Sequence, residues 1–274
     1  MAKKHALLIG LNEVKAQHYG GWHGTLNYAE AGVKRVNGEI IALRGFNTPH
    51  ILLRAQATRL NVQNKLNTLA NAAFPGDLVV VYYAGHGKQE QDKQRLEVDK
   101  LDEAWCLYDG LFLDDELWTA WCQFKKGVRI LLVSDSCNSG TIGRGDESAS
   151  LDNSLTELFT MEKKMQTYIN NQSFYDQLMK NTRGARSKPM EVSLITLTAC
   201  KSNQKALENK NLQHSEFSYS LLKIWNAGKF VGDYRAFYQA ILKDVQFRNP
   251  NQTPQIIQYG LPDSQFLDSV PFSG

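Results

Sequence analysis

Two short stretches of this chain, Leu78-Val79-Val80-Val81 and Ile130-Leu131-Leu132-Val133, are apolar at every position. A strand with one wet face alternates apolar and polar residues. An unbroken apolar run of this length therefore predicts a strand covered on both faces. Four further short runs read as strands: His5–Leu11, His50–Leu53, Ser193–Thr198 and Gln255–Tyr259. Helical patterns lie between them at about 25–45, Asn61–Ala73, Asp114–Phe124, Leu151–Asn170, Phe217–Asn226 and Tyr234–Val245. This alternation predicts an α/β fold: a three-layer sandwich whose mostly parallel central sheet, of about six strands, is flanked by helices.

Two regions break the pattern. Lys88–Leu101 is polar and charged, and reads as an excursion after the third strand. The stretch 141–190 opens on a Gly-rich turn and ends in Lys180-Asn181-Thr182-Arg183-Gly184-Ala185-Arg186-Ser187-Lys188-Pro189, which carries basic residues and no acid, as an exposed linker would.

Composition narrows the function classes. At 274 residues the chain can bury a full core as one domain, 1–274. A net charge of +3, with acids interleaved among the bases, gives no face for nucleic acid or a membrane surface. No stretch approaches the ~18 apolar residues of a membrane span, and Ala6–Leu11 is too short for a secretory signal. The four cysteines, Cys106, Cys122, Cys137 and Cys200, show neither CxxC pairs nor clustered histidines. Zinc and a disulfide framework are not indicated, and a reduced, cytoplasmic setting is expected.

The ends of the third and fourth strands carry the chemistry. The third ends Tyr82-Tyr83-Ala84-Gly85-His86-Gly87; the fourth ends Ser134-Asp135-Ser136-Cys137-Asn138-Ser139-Gly140. Each sets a reactive side chain just past the carboxyl end of a buried strand, the edge where open α/β sheets form sites. If these strands are neighbours, His86 and Cys137 face each other. A thiolate is the nucleophile, and an adjacent imidazole raises the reactive fraction or protonates a leaving amine. Acyl transfer also needs donors at the developing oxyanion, for which Gly87 offers an unshielded amide and Cys137 its own. A lone cysteine or histidine is more often a core residue. The two motifs at matching strand ends, 51 residues apart, point instead to a catalytic dyad.

These two motifs resemble the catalytic motifs of the caspase family, in its metacaspase and bacterial caspase-like branch. Leu8-Ile9-Gly10-Leu11-Asn12, Leu113-Asp114-Asp115-Glu116-Leu117, Thr198-Ala199-Cys200 with Gln204, Ala206 and Glu208, and Gln252-Thr253-Pro254-Gln255 extend the resemblance over roughly 5–260. It implies a caspase-like fold, with 1–140 as a large-subunit-like part, 141–190 as an insertion or linker, and 191–274 as a small-subunit-like part. It implies a cysteine endopeptidase with His86 as general acid/base, Cys137 as nucleophile, and the amides of Gly87 and Cys137 as oxyanion hole. No cofactor is required for that chemistry. The expected partners are protein or peptide substrates.

Specificity rests on Asp135, two residues before the nucleophile. A carboxylate there would pair with an Arg or Lys side chain at P1, whereas an Asp in this position can also serve as a turn cap. The family's second pocket aspartate falls at Tyr28, in Gly24-Thr25-Leu26-Asn27-Tyr28-Ala29, leaving Glu30 or Asp109 as the acids to compensate. Asp109, Asp114 and Asp115 match calcium-ligand positions of calcium-dependent metacaspases, although acids are also expected where Asp114-Asp115-Glu116 open a helix. By the same resemblance, Arg183 and Arg186 are candidate self-cleavage sites. Two rival readings stand: a separase- or CHAT-like peptidase using Cys200, and a non-catalytic scaffold.

Overall fold

A computed structural model of the chain describes residues 2–91, 101–136, 187–201 and 204–274, with two isolated positions at 173 and 177. Cys137, Arg183, Arg186, the helix expected at Leu151–Asn170 and nearly all of the expected linker lie outside the described residues. The central sheet has six strands: β1 (Lys4–Gly10), β2 (His50–Leu53), β3 (Leu78–Ala84), β7 (Arg129–Asp135), β8 (Ser193–Thr198) and β11 (Gln255–Gly260). Their spatial order is β11-β8-β7-β3-β1-β2. All neighbours run parallel except β11, which lies antiparallel on β8.

The apolar runs do what their composition requires. Every residue of β3 is buried. Val79, Val81 and Tyr83 enter one core with helices α2 (Arg59–Ala72) and α3 (Asp114–Trp121). Leu78, Val80, Tyr82 and Ala84 enter a second core. There they meet α1 (Ala29–Val36), α4 (Glu216–Trp225), α5 (Tyr234–Arg248) and α6 (Ser264–Leu267). Two helical layers thus cover one sheet, as the sequence predicts.

Two local readings change. The helix expected over about 25–45 is α-helical only to Val36, then widens into a π turn at Asn37–Ile41 and a 3₁₀ turn at Ala42–Arg44. The Trp225 indole N–H donates to the Glu39 carbonyl at 3.0 Å within the widened turn. Lys88–Leu101 is not simply an excursion. Strands β4 (Gly87–Gln91), β5 (Leu101–Leu107) and β6 (Gly110–Leu113) form a second, antiparallel sheet. Its anchor is apolar: Trp105, Cys106, Leu107 and Leu111–Leu113 are buried in the first core, and Trp105 stacks on Tyr83 at 4.4 Å. Among the described residues no helix is long and apolar enough to cross a membrane.

Candidate active site

Strand order sets the position of the site. From β1 the chain crosses to β2 on one side and returns to β3 on the other, so the carboxyl ends of β1 and β3 flank a topological switch point. Strands β3 and β7 are direct neighbours, with Ala84 opposite Asp135. His86 and Cys137 each follow that matched pair by two residues. Ser136, the last described residue before the cysteine, already lines the same cavity as His86.

His86 is half-buried and held from several sides. Its carbonyl accepts from the Cys106 N–H at 2.9 Å and from the Tyr83 hydroxyl at 2.7 Å. Trp22, from the β1–α1 loop, sets its indole edge-on to the imidazole, with centroids 4.7 Å apart. Gly85 has a steric reason to lack a side chain: a Cβ there would come within 2.6 Å of the Tyr83 hydroxyl, which is committed to the His86 carbonyl. Gly87 is buried and opens β4.

Asp135 ends β7 buried in the protein interior, and among the described residues its carboxylate caps no turn. Its Oδ2 accepts from the hydroxyls of Ser215 and Ser218. Ser215 caps α4 by accepting the Ser218 N–H at 3.0 Å, which leaves its own hydroxyl proton for the carboxylate. The Tyr82 hydroxyl lies 2.6 Å from Ser218 Oγ and serves as its donor, since the Ser218 proton is spent on Asp135. Burial dominates the electrostatics and lifts the Asp135 carboxyl to about 6, against the hydroxyl bonds that favour its charged form. The nearby Glu208 carboxylate pushes the same way as burial.

Around Asp135 lies a cavity of about 70 Å³. Its walls come from the β1–α1 loop (Leu26, Tyr28, Ala29), the β3 end (Ala84–His86), the β7 end, and the segment after β8 that carries Glu208, His214, Ser215 and Ser218. The acids expected to compensate for Tyr28 lie elsewhere. Glu30 pairs with Arg54 at 3.0 Å, and Asp109 accepts the Arg59 N–H at the start of α2. Glu208 occupies the wall instead, accepting the backbone N–H groups of Asn27 and Tyr28. Its role, and those of Trp22, Ser215, Ser218 and His214, were not legible as site features. The only local signal among them was Ser215, three residues before Ser218 at a helix start.

The acidic stretch expected to bind calcium has structural employment. Asp114 accepts the Asp115 N–H at 2.8 Å, and Glu116 accepts the Leu113 N–H at 3.0 Å, the reaching-back half of a capping box. Glu116 also pairs with Arg59 at 2.8 Å, 9% exposed on the carboxylate side. Among the described residues no three His, Cys, Asp or Glu side chains converge as a metal-ligand set. Cys200 is buried beside the same strand end, its thiol 3.4 Å from the Gln204 carbonyl and 3.8 Å from that of Ser136.

Comparison with known proteins agrees with the fold. The family model described as "Caspase domain" matches residues 3–265. Metacaspase-1 of Mycosarcoma maydis is 24% identical over 93% of this chain and 70% of its own length. Metacaspase-3 of Arabidopsis thaliana is 28% identical over 51% of this chain and 41% of its own, and Metacaspase-1 of Plasmodium falciparum matches over 24% of its own length. Most of these alignments therefore span well under half of the relatives they match. Among solved structures, a Geobacter sulfurreducens protein, GSU0716, superposes with a TM-score of 0.83 at 34% identity, covering 99% of this chain and 98% of that one. Caspase-1 of Spodoptera frugiperda shares the fold, with a TM-score of 0.60 at 12% identity over 93% of this chain and 86% of that one.

Proposed function

Because this chain belongs to the caspase-domain family of cysteine peptidases, we propose that it is an endopeptidase that cleaves protein substrates after Arg or Lys through a His86/Cys137 dyad. The observation that carries the reading is the β3–β7 register, with Ala84 opposite Asp135 and the two reactive residues equally far beyond them.

In this reading the Cys137 thiolate attacks the scissile carbonyl. The amides of Gly87 and Cys137 receive the oxyanion, a contribution worth roughly 10²–10³ in rate per donor. His86 gives its proton to the departing amine, leaving an acyl-enzyme thioester. It then takes a proton from the water that attacks this ester, and the thiol is regenerated as the acid product leaves. Thiol and imidazole supply nucleophile and proton, so the step calls for no cofactor. Asp135, buried in the cavity wall and without an ion-pair partner among the described residues, suits a basic P1 side chain. Self-processing after Arg183 or Arg186 and a cytoplasmic setting belong to the same proposal.

The dyad is tested by comparing Cys137→Ala with Cys200→Ala on a P1-Arg reporter peptide. The first loses at least about a thousandfold in rate, and the second keeps its activity. The two-fragment pattern of self-processing appears in the wild type and in Cys200→Ala, and is absent from Cys137→Ala. Loss confined to the Cys200 variant would move the nucleophile to the other thiol.

A further inference from the structure

The cavity at Asp135 is lined by two carboxylates, Asp135 and Glu208, and by no Lys or Arg among the described residues. Asp135 is 7% exposed, and Glu208 lines the same cavity; among the described residues neither is ion-paired with Lys, Arg or His. The surrounding bonds are of another kind. Both serine hydroxyls converge on Asp135 Oδ2, and Glu208 accepts from Asn27 and Tyr28. Burial works against the charged form of Asp135, the half-buried Glu208 carboxylate adds to that effect, and a cationic ligand in the cavity would relieve it.

A third wall group points the same way. His214 is 1% exposed and lines the cavity, yet neither ring nitrogen has a hydrogen-bond partner among the described residues. Burial above all, then the Arg35 charge, lowers its pKa, so the imidazole is neutral and keeps one acceptor nitrogen. A buried polar group left unsatisfied by the protein is an unmet demand that a ligand can satisfy.

We propose that Glu208 is the second carboxylate of the P1 pocket and His214 its third polar wall, so that with Asp135 they select a planar guanidinium and make arginine preferred over lysine. The inference rests on the basic-P1 reading above. The three groups come from different places in the chain: the β7 end, strand β9 (Glu208–Asn209) and strand β10 (His214–Ser215). An ammonium presents three donors from a single atom. A guanidinium spreads five N–H donors over a rigid plane and can meet acceptors on separate walls. Leu26, Ala29 and Ala206 supply apolar surface for the aliphatic stem. Glu208 also takes up the position that Tyr28 leaves without an acid, since it binds that residue's own N–H at 2.7 Å.

The test compares peptides identical except for Arg, Lys or citrulline at P1, cleaved by the full chain as wild type, Glu208→Gln and Glu208→Asp, with thermal unfolding recorded for each. The wild type is expected to favour Arg over Lys by about tenfold or more and to leave citrulline, the neutral isostere, essentially uncut. Glu208→Gln should lose about tenfold to a hundredfold in kcat/KM for Arg, chiefly through KM, with a smaller loss for Lys. Glu208→Asp, which keeps the charge, should retain part of the Arg preference even if the glutamine variant folds poorly. Equal losses on Arg and Lys through kcat alone would reduce Glu208 to a brace for the 24–29 loop and overturn the inference. A wild type that cuts Lys as well as Arg overturns it while leaving the basic-P1 reading intact; one that cuts neither removes both.

Discussion

Asp135 sits where burial works against its charged form. Its carboxyl titrates near 6 because it is buried, so the folded state holds a proton more tightly than the unfolded chain does. Stability from this group is therefore present at low pH and is lost as pH rises from the ordinary aspartate range through about 6. The shift corresponds to about 3 kcal/mol at most. Asp135→Asn keeps an acceptor for the two serines and should raise the unfolding free energy at pH 7 by about 1–3 kcal/mol, with the gain shrinking toward pH 4. Chemical denaturation across that range checks it, and a variant less stable at pH 7 would show that the carboxylate is structural. Substrate binding should run the other way. Below about pH 6 the protonated Asp135 loses its charge, so KM for a P1-Arg peptide rises as pH falls, while Asp135→Asn has a flat KM. At this scale the sequence puts His86, Gly87 and Asp135 at the ends of two strands, and those ends lie side by side. It shows Glu208 only as part of a late family pattern and not as a pocket wall, because Asn27 and Tyr28, the residues it binds, lie some 180 positions away in the chain.

Among the elements, the doubly buried strands were the easiest to read and the β4–β6 sheet the hardest. Strands β3 and β7 announce themselves because two covered faces leave no polar position in their centres, and the expected runs lie inside the observed spans, within three residues of their ends. Strand β4 carries Lys88-Gln89-Glu90-Gln91, with no apolar alternation to mark it. Its partner β5 supplies the anchor, through the Trp105–Tyr83 stack and the Cys106 bond to the His86 carbonyl. The turn between β3 and β4 thus holds His86 between two sheets. Gly85→Ala probes this joint directly. The added methyl must displace the Tyr83 hydroxyl, so the variant should lose about 1–3 kcal/mol of stability and show a kcat deficit larger than its KM change. Calorimetry and steady-state rates measure both; unchanged values would mean that the Tyr83 bond does not hold the histidine. The π-widened turn after α1 was equally hidden, since its Trp225 contact comes from a helix far along the chain.

For the whole molecule, one sheet order accounts for the site. The switch between β1 and β3 opens a crevice, β7 places Asp135 and the start of the cysteine motif beside it, and the segment after β8 closes it with Glu208, His214 and the α4 cap. The fold class was readable because alternating buried strands and amphipathic helices have few other solutions. Pocket chemistry was not, because it is assembled from four separate loops. The central claim is tested most directly by initial rates of the full chain on peptides that differ only at P1, carrying Arg, Lys, Asp or Ala, with and without calcium and beside Cys137→Ala. The account predicts cleavage after Arg and Lys only, the same ranking with or without calcium, and none by the variant. Cleavage after Asp, or activity that survives the loss of Cys137, would contradict it.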